Sequence, residues 1–146
     1  TTAEAALAVL ERAELSSGHN YLVADAERVF DVETTGRVKA RQHADAGRIY
    51  WHTNHYLDPT LTPLEMPLHP SSTSLPRYDS LCEWLQDPPD NKQALWDGLA
   101  ARVSYESAER HGAKTCGGVL LDMAARQVWA AAGDLRGATP VVVGVE

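Results

Sequence analysis

Apolar and polar positions change their spacing several times along the chain, and each change predicts a new element of secondary structure. Residues 2–14 repeat apolar side chains at helical spacing, and Ser-Ser-Gly at 16–18 ends the repeat. The apolar face consists of Ala6, Val9, Leu10 and Ala13. Thr1 and Glu4 match a capping box, in which a hydroxyl and a carboxylate satisfy amides that the first helical turn leaves unpaired. The pattern therefore predicts an N-terminal helix.

Short runs of strand-forming residues with turns between them predict a β-rich region after this helix. The four predicted strands are Tyr21–Ala24, Val29–Val32, Arg37–His43 and Arg48–Trp51. Asp25–Arg28 and Asp45–Gly47 are short polar connections between them. Connections this short join antiparallel strands, so we expect a four-stranded meander.

Prolines divide the middle of the chain into a long loop and two helices. Residues 57–75 contain four prolines and predict a loop that begins directly after a polar cluster, where it can cover a pocket. Residues 75–86 predict the first helix, and Asp90, after a Pro-Pro break, predicts the N-cap of the second. The second helix repeats apolar residues at every fourth position, at Leu95, Leu99 and Val103.

The last part of the chain returns to strands. Residues 117–121 and 128–132 predict a hairpin, and 140–143 predict an edge strand. The order of helix, four strands, two helices and two or three strands predicts an α+β protein with antiparallel sheets. A length of 146 residues suits one ordinary domain, so we predict a single domain over residues 1–146.

The segment 51–56, Trp-His-Thr-Asn-His-Tyr, is the strongest candidate for a functional site. Side chains of an extended chain alternate between two sides, so His52 and Asn54 would share one face while Thr53 and His55 share the other. Polar groups crowded at the end of a strand are costly to bury without partners. The cluster therefore predicts either a site or a tight polar turn, and by itself it names no reaction.

Composition and charge exclude several classes of function. The net charge is −7 and the thirteen Lys and Arg residues are scattered, so a nucleic-acid surface is not expected. Cys82 and Cys116 form no CxxC pair, and two histidines at 52 and 55 are too few for zinc. No apolar run approaches the roughly 20 residues that cross a bilayer. We predict a cytoplasmic protein that binds no membrane and needs no metal or cofactor.

Residues in both halves resemble the autoproteolytic acyltransferases related to isopenicillin N acyltransferase, which are N-terminal-nucleophile hydrolases. The resemblance is carried mainly by Asn20–Ala26 and by the His-Thr-Asn-His-Tyr run at 52–56, which contains the distinctive TNHY tetrapeptide. Further family-like positions are Val32, Glu33, Ser72, Pro76, Arg77, Thr115, Val119–Asp122, Arg126 and Gly133. The resemblance covers most of this chain but only the second half of a family member.

The resemblance implies a four-layer αββα fold and a specific chemistry. In the family, self-cleavage exposes a cysteine whose thiol attacks an amide or thioester while its own amine acts as base. It implies that Asn54 donates a hydrogen bond to the developing oxyanion. Arg110 is the nearest match by spacing to a family arginine that helps to build the site. The neighbouring His52, Thr53, His55 and Tyr56 are candidates for binding substrate, and the two histidines are also candidates for fixing the loop.

The resemblance places the nucleophilic cysteine in a segment upstream of the residues that match here. We therefore expect this chain to be the C-terminal portion of an acyltransferase or amidohydrolase. Its partner would be a nucleophile-bearing N-terminal half or a separate chain, and its substrate a small acyl compound. The alternative is a non-catalytic partner-binding or scaffold module of the same fold. Thr1 could itself be a nucleophile, but a helix cap is the stronger interpretation of that residue.

Overall fold

The computed structural model describes residues 2–44, 49–105 and 114–145, and these form two compact units, Thr1–Asp79 and Ser80–Glu146. The elements, in chain order, are α1 (Ala3–Arg12), β1 (His19–Ala24), β2 (Val29–Thr34), β3 (Lys39–Ala44), a 3-10 helix (Thr62–Leu64), α2 (Ser74–Trp84), α3 (Lys92–Val103), β4 (Gly117–Asp122), β5 (Gln127–Ala132) and β6 (Val141–Gly144). The predicted α+β class with antiparallel sheets is confirmed.

Helix α1 begins one residue later than the sequence predicted. The side chain of Thr2 caps it by accepting a hydrogen bond of 3.2 Å from the amide of Ala5. The predicted cap at Thr1 is therefore wrong for this helix, and Thr1 itself lies outside the described residues. At the other end, the Lys39 ammonium on β3 donates to the three main-chain carbonyl oxygens of Leu10, Glu11 and Ala13, at 2.9, 2.9 and 2.6 Å. A lysine there also complements the negative end of the helix dipole.

The face of α1 that packs on the first sheet is shifted from the predicted one. Ala3, Leu7 and Leu10 are the buried residues of the helix, and they cluster with Phe30 and Val32 of β2. Val9, which the helical repeat placed on the apolar face, is 60% exposed. The predicted face was displaced around the helix, because alanines and a valine beside the buried stripe satisfy the same periodicity as the true contacts.

The first sheet has three strands in the order β1-β2-β3, all antiparallel. Alternation along β2 sends Phe30 and Val32 towards α1, and Asp31 and Glu33 to the opposite face. All four of these side chains are buried. The sheet thus places two carboxylates on the face away from its own helix.

The predicted fourth strand of this sheet is absent from the described part of its range. Residues 49–51 have no regular secondary structure, and Arg48 lies outside the described residues. The prediction failed because a run of three apolar residues, Ile49–Trp51, is too short to separate a strand from an irregular segment. The residues that follow are instead fixed by side-chain hydrogen bonds.

The second unit packs α3 on a three-stranded antiparallel sheet of order β4-β5-β6. The side chain of Asn91 caps α3 by accepting from the amide of Ala94 at 2.8 Å, so the predicted cap at Asp90 is displaced by one residue. Trp96 and Ala100 of the helix are buried with Leu135. The predicted repeat of Leu95, Leu99 and Val103 is half-buried.

The two faces of the second sheet have different environments. Leu120, Trp129 and Ala131 pack on the buried cluster around Trp96. The other face carries the aliphatic side chains of Val119, Leu121, Val141 and Val143, which are 64%, 62%, 67% and 55% exposed. The hairpin and the edge strand predicted from the sequence are confirmed. No helix in the described ranges is both long and apolar enough to cross a bilayer.

We expect Leu7→Ala to lower the free energy of unfolding by about 2–5 kcal/mol, because it removes a fully buried side chain from the α1 cluster. The matched control is Val9→Ala on the exposed side of the same helix, which should change stability by less than about 0.5 kcal/mol. Urea unfolding of both variants measures the difference. Equal losses would contradict the helix orientation.

Candidate functional site

The polar cluster predicted from the sequence forms an irregular loop, His52–Asp58, which follows the first sheet. Two buried side chains from elsewhere in the first unit hold it. One is Glu33 on β2 and the other is Ser74, the first residue of α2; they are 2% and 0% exposed. Because a loop cannot satisfy its amides by sheet pairing, these side chains accept hydrogen bonds that strands would otherwise accept.

Glu33 accepts three hydrogen bonds from this loop. Its Oε1 accepts hydrogen bonds from Nε2 of His52 at 2.6 Å and from the amide of Leu57 at 2.7 Å. Its Oε2 accepts a hydrogen bond from the amide of Asp58 at 2.6 Å. The other ring nitrogen of His52 contacts the carbonyl oxygen of Thr53. Charge-assisted hydrogen bonds of this kind offset the cost of burying a carboxylate.

Ser74 holds the opposite side of the loop. Its hydroxyl accepts from the amide of Asn54 at 2.7 Å and lies 2.9 Å from Nδ1 of His55 and 3.1 Å from Oγ1 of Thr53. The Thr53 hydroxyl also donates to the carbonyl oxygen of Ser74 at 3.1 Å. His55 is 8% exposed and meets Tyr78 edge-on, with ring centroids 5.3 Å apart. Oγ1 of Thr53 also lies 3.1 Å from Nδ1 of His55, so these two side chains meet at Ser74.

The side chain of Asn54 is exposed, and it is oriented by an arginine. Arg77 of α2 donates from Nη2 to Oδ1 of Asn54 at 2.6 Å. Since a guanidinium carries only donors, this contact fixes which end of the carboxamide is oxygen. Arg77 is itself held by a bond from Nε to Oγ1 of Thr73 at 3.2 Å, and burial lowers its pKa. Within the described residues, Nδ2 of Asn54 donates to no protein group.

Tyr56 connects the loop to the end of β2. Its hydroxyl donates to the carbonyl oxygen of Thr34 at 2.9 Å, and its amide donates to Oε1 of Glu65 at 3.2 Å. Burial raises the pKa of the phenol. A Cβ at Gly18 would lie 2.2 Å from the Tyr56 oxygen, so only glycine allows this close approach.

Asp31 and Asn20 lie on the same sheet face as Glu33. Each has one buried side-chain oxygen without a hydrogen-bond partner among the described residues. Burial raises the pKa of Asp31, while the charge of His52 and a hydrogen bond from Asn20 oppose the rise. The face thus keeps acidic groups close together in a region that water reaches poorly.

Five of the six predicted site residues lie together in this loop, at positions 52 to 56. Arg110, the sixth, lies outside the described residues. The polar groups of His52, Thr53, His55 and Tyr56 contact protein groups, and their role in binding substrate stays a prediction. Within residues 2–44, 49–105 and 114–145, no three His, Cys, Asp or Glu side chains form a metal-binding group.

Sequence reasoning missed the partners that hold the loop. Glu33 and Arg77 entered only as family-like positions, and Ser74 was read as part of a polar loop. The available signal was the acidic alternation of Asp31 and Glu33, since a strand with charges on one face and apolar residues on the other needs a partner for those charges.

We expect Ser74→Ala to lower the free energy of unfolding by about 1–3 kcal/mol, because it leaves the amide of Asn54 without its partner and removes one of the two hydroxyls that contact the ring of His55. Urea unfolding measures the loss. Ser17→Ala is the control, because that exposed hydroxyl contacts only the ring of His19 among the described residues. A loss no larger than the control's would show that Ser74 does not hold the loop.

Comparison with known families supports the resemblance noted in the sequence. A family model described as acyl-coenzyme A:6-aminopenicillanic acid acyl-transferase matches residues 1–136. Among curated proteins, none matched this chain.

Proposed function

This chain belongs to the acyl-coenzyme A:6-aminopenicillanic acid acyltransferase family, and we propose that it supplies the oxyanion-stabilising part of a cysteine-dependent acyltransferase or amidohydrolase. The bond attacked is an acyl amide or thioester of a small molecule. The nucleophilic cysteine comes from a segment that this chain does not contribute.

The orientation of Asn54 is the observation that carries this proposal. Arg77 occupies the carboxamide oxygen, so the amide nitrogen is the group left to donate, and the side chain is exposed where a substrate can reach it. The main-chain amide of Asn54 is anchored on Ser74. Because both the main-chain amide and the side-chain oxygen are fixed, the donor needs little reorganisation as charge develops on a carbonyl oxygen.

The proposed reaction is ordinary acyl transfer. The thiol of the cysteine loses its proton to the free amine of the same residue, and the sulfur bonds to the carbonyl carbon. The carbonyl electron pair moves to oxygen, where Nδ2 of Asn54 donates a hydrogen bond. The intermediate then collapses to an acyl-enzyme, and the leaving amine or thiol takes up the proton. Water or a second amine accepts the acyl group in the reverse sequence of steps.

The exposed apolar face of the second sheet supports the proposal that another segment binds this chain. Its aliphatic side chains border a shallow, open depression of about 620 Å³, which Gly117, Val119, Ala130 and Val141 help to line. A contiguous exposed apolar patch marks an interaction surface. In a four-layer αββα fold, a sheet covered by helices on one side packs against a second sheet on the other. We propose that strands of the nucleophile-bearing segment cover this face.

In the assembled protein, Asn54→Ala should lower kcat by about a hundredfold or more with little change in KM, the range found when an oxyanion donor is removed. Steady-state kinetics measures it. Asn54→Asp, which replaces the donor with an acceptor of the same shape, should be equally impaired. Turnover at the original rate in correctly folded Asn54→Ala would remove this residue from the mechanism.

Val119→Asp should lower the fraction of chain bound to the nucleophile-bearing segment at least about tenfold, because it buries a charge in the proposed interface. Native mass spectrometry of the purified assembly measures this fraction and whether the partner begins with cysteine. Val9→Asp is the matched control, since Val9 is 60% exposed and Val119 64%. Undiminished assembly of Val119→Asp would place the partner elsewhere.

A further inference from the structure

The carboxylate of Glu33 is bound by the loop that carries Asn54 and by no other described part of the chain. Its three donors are the ring of His52 and the amides of Leu57 and Asp58. They lie on both sides of Asn54 in the sequence, two residues before it and three and four residues after it. One buried side chain therefore fixes both ends of the segment 53–56.

The position of this carboxylate is set by the sheet and not by the loop. Glu33 lies on the central strand β2, between its register partners Asn20 on β1 and Ala40 on β3. A central strand is held by hydrogen bonds on both sides, so its side chains start from a rigid backbone. The carboxylate transfers this rigidity to a loop that has no secondary structure of its own.

The charge of Glu33 raises the free-energy cost of breaking its hydrogen bonds to the loop. At 2% exposure, the carboxylate cannot exchange its three donors for water while the fold stays intact. Loss of any one donor leaves a buried charge less satisfied, which costs more than the loss of a surface hydrogen bond. The loop is thereby confined to conformations in which His52, Leu57 and Asp58 all face β2.

We propose that Glu33 is a positioning residue of the acyl-transfer site, which acts through the loop to hold the amide of Asn54 where the oxyanion forms. This inference rests on the proposed function. It assigns Glu33 no contact with substrate, and it assigns His52 to the support of the loop. Ser74 and Arg77 fix the residue locally, whereas Glu33 fixes the path of the backbone on either side.

The test is Glu33→Gln in the assembled enzyme. Glutamine keeps the size of the side chain but offers one acceptor oxygen in place of two, so one of the three donors meets an NH₂ group. We expect kcat to fall about tenfold to a hundredfold with KM within about twofold of the wild type, since small misplacements of a catalytic group have costs of this size. His52→Ala deletes one donor and leaves the carboxylate; it should give a smaller fall in the same direction.

A double-mutant cycle separates positioning from general loss of structure. If Glu33 acts through Asn54, then Glu33→Gln lowers kcat in the wild type but changes it less than about twofold in the Asn54→Ala background. Equal falls in both backgrounds would overturn the proposal. If Glu33→Gln does not assemble, the same cycle is run with His52→Ala, and the same two outcomes decide.

Hydrogen–deuterium exchange of the peptide that spans residues 52–58 gives a readout independent of activity. Exchange at Leu57 and Asp58 should become at least about tenfold faster in Glu33→Gln, because their amides lose a charged partner. Faster exchange with unchanged kcat would overturn the positioning role and leave the proposed function standing. An unchanged kcat in Asn54→Ala, by contrast, would overturn both.

Asp25→Asn is the matched control for both measurements. Like Glu33, Asp25 accepts three hydrogen bonds through its carboxylate. All three come from main-chain amides, those of Ala3, Glu27 and Arg28, at 2.7, 2.9 and 2.9 Å, and these bonds lower its pKa. It lies at the opposite end of β2 from Glu33, beside the β1–β2 turn. The variant should lose stability without changing kcat or the exchange of residues 52–58. A fall in kcat equal to that of Glu33→Gln would overturn the proposal.

Discussion

The burial of the Glu33 charge is the constraint on which the candidate site depends. A carboxylate at 2% exposure survives in a folded protein only when donors surround it, and here all the donors identified come from one irregular segment. The sheet therefore defines the loop: β2 gives the charge a fixed position, and the loop adopts a path that satisfies it. A loop without regular structure is thus held in place by hydrogen bonds to the sheet.

Asn54 is held in two ways, through the backbone on either side of it and through direct contacts. The carboxylate of Glu33 sets the course of the backbone, while the hydroxyl of Ser74 binds the main-chain amide of Asn54 and the guanidinium of Arg77 binds its side-chain oxygen. This division leaves the amide nitrogen as the exposed donor of a side chain whose other groups are occupied. Such preorganisation is what electrostatic catalysis requires, since a donor that must turn towards the charge loses much of its value.

Periodicity in the sequence was sufficient for the helices and hairpins but not for the contacts that create the site. The repeat in α1 and the alternation in β4 and β5 are local signals, and each predicted an element within one or two residues of its observed range. The run before His52 was mistaken for a strand because three apolar residues carry too little periodic information. Glu33 and Ser74 lie 19 and 20 residues from His52 and Asn54, and no local pattern encodes a hydrogen bond over that distance. The cluster at 52–56 was recognised because its polar density is unusual for residues beside a sheet and because it contains the TNHY tetrapeptide.

The edge strand β6 has a consequence for how this protein must be produced. Val141, Val142 and Val143 are all about half exposed or more, at a sheet border that pairs on one side only with β5 among the described elements. Consecutive β-branched residues on an open border form a template onto which a strand of any other molecule can add. Production of the chain with this border uncovered should therefore favour aggregates, and pairing or covering of β6 protects solubility.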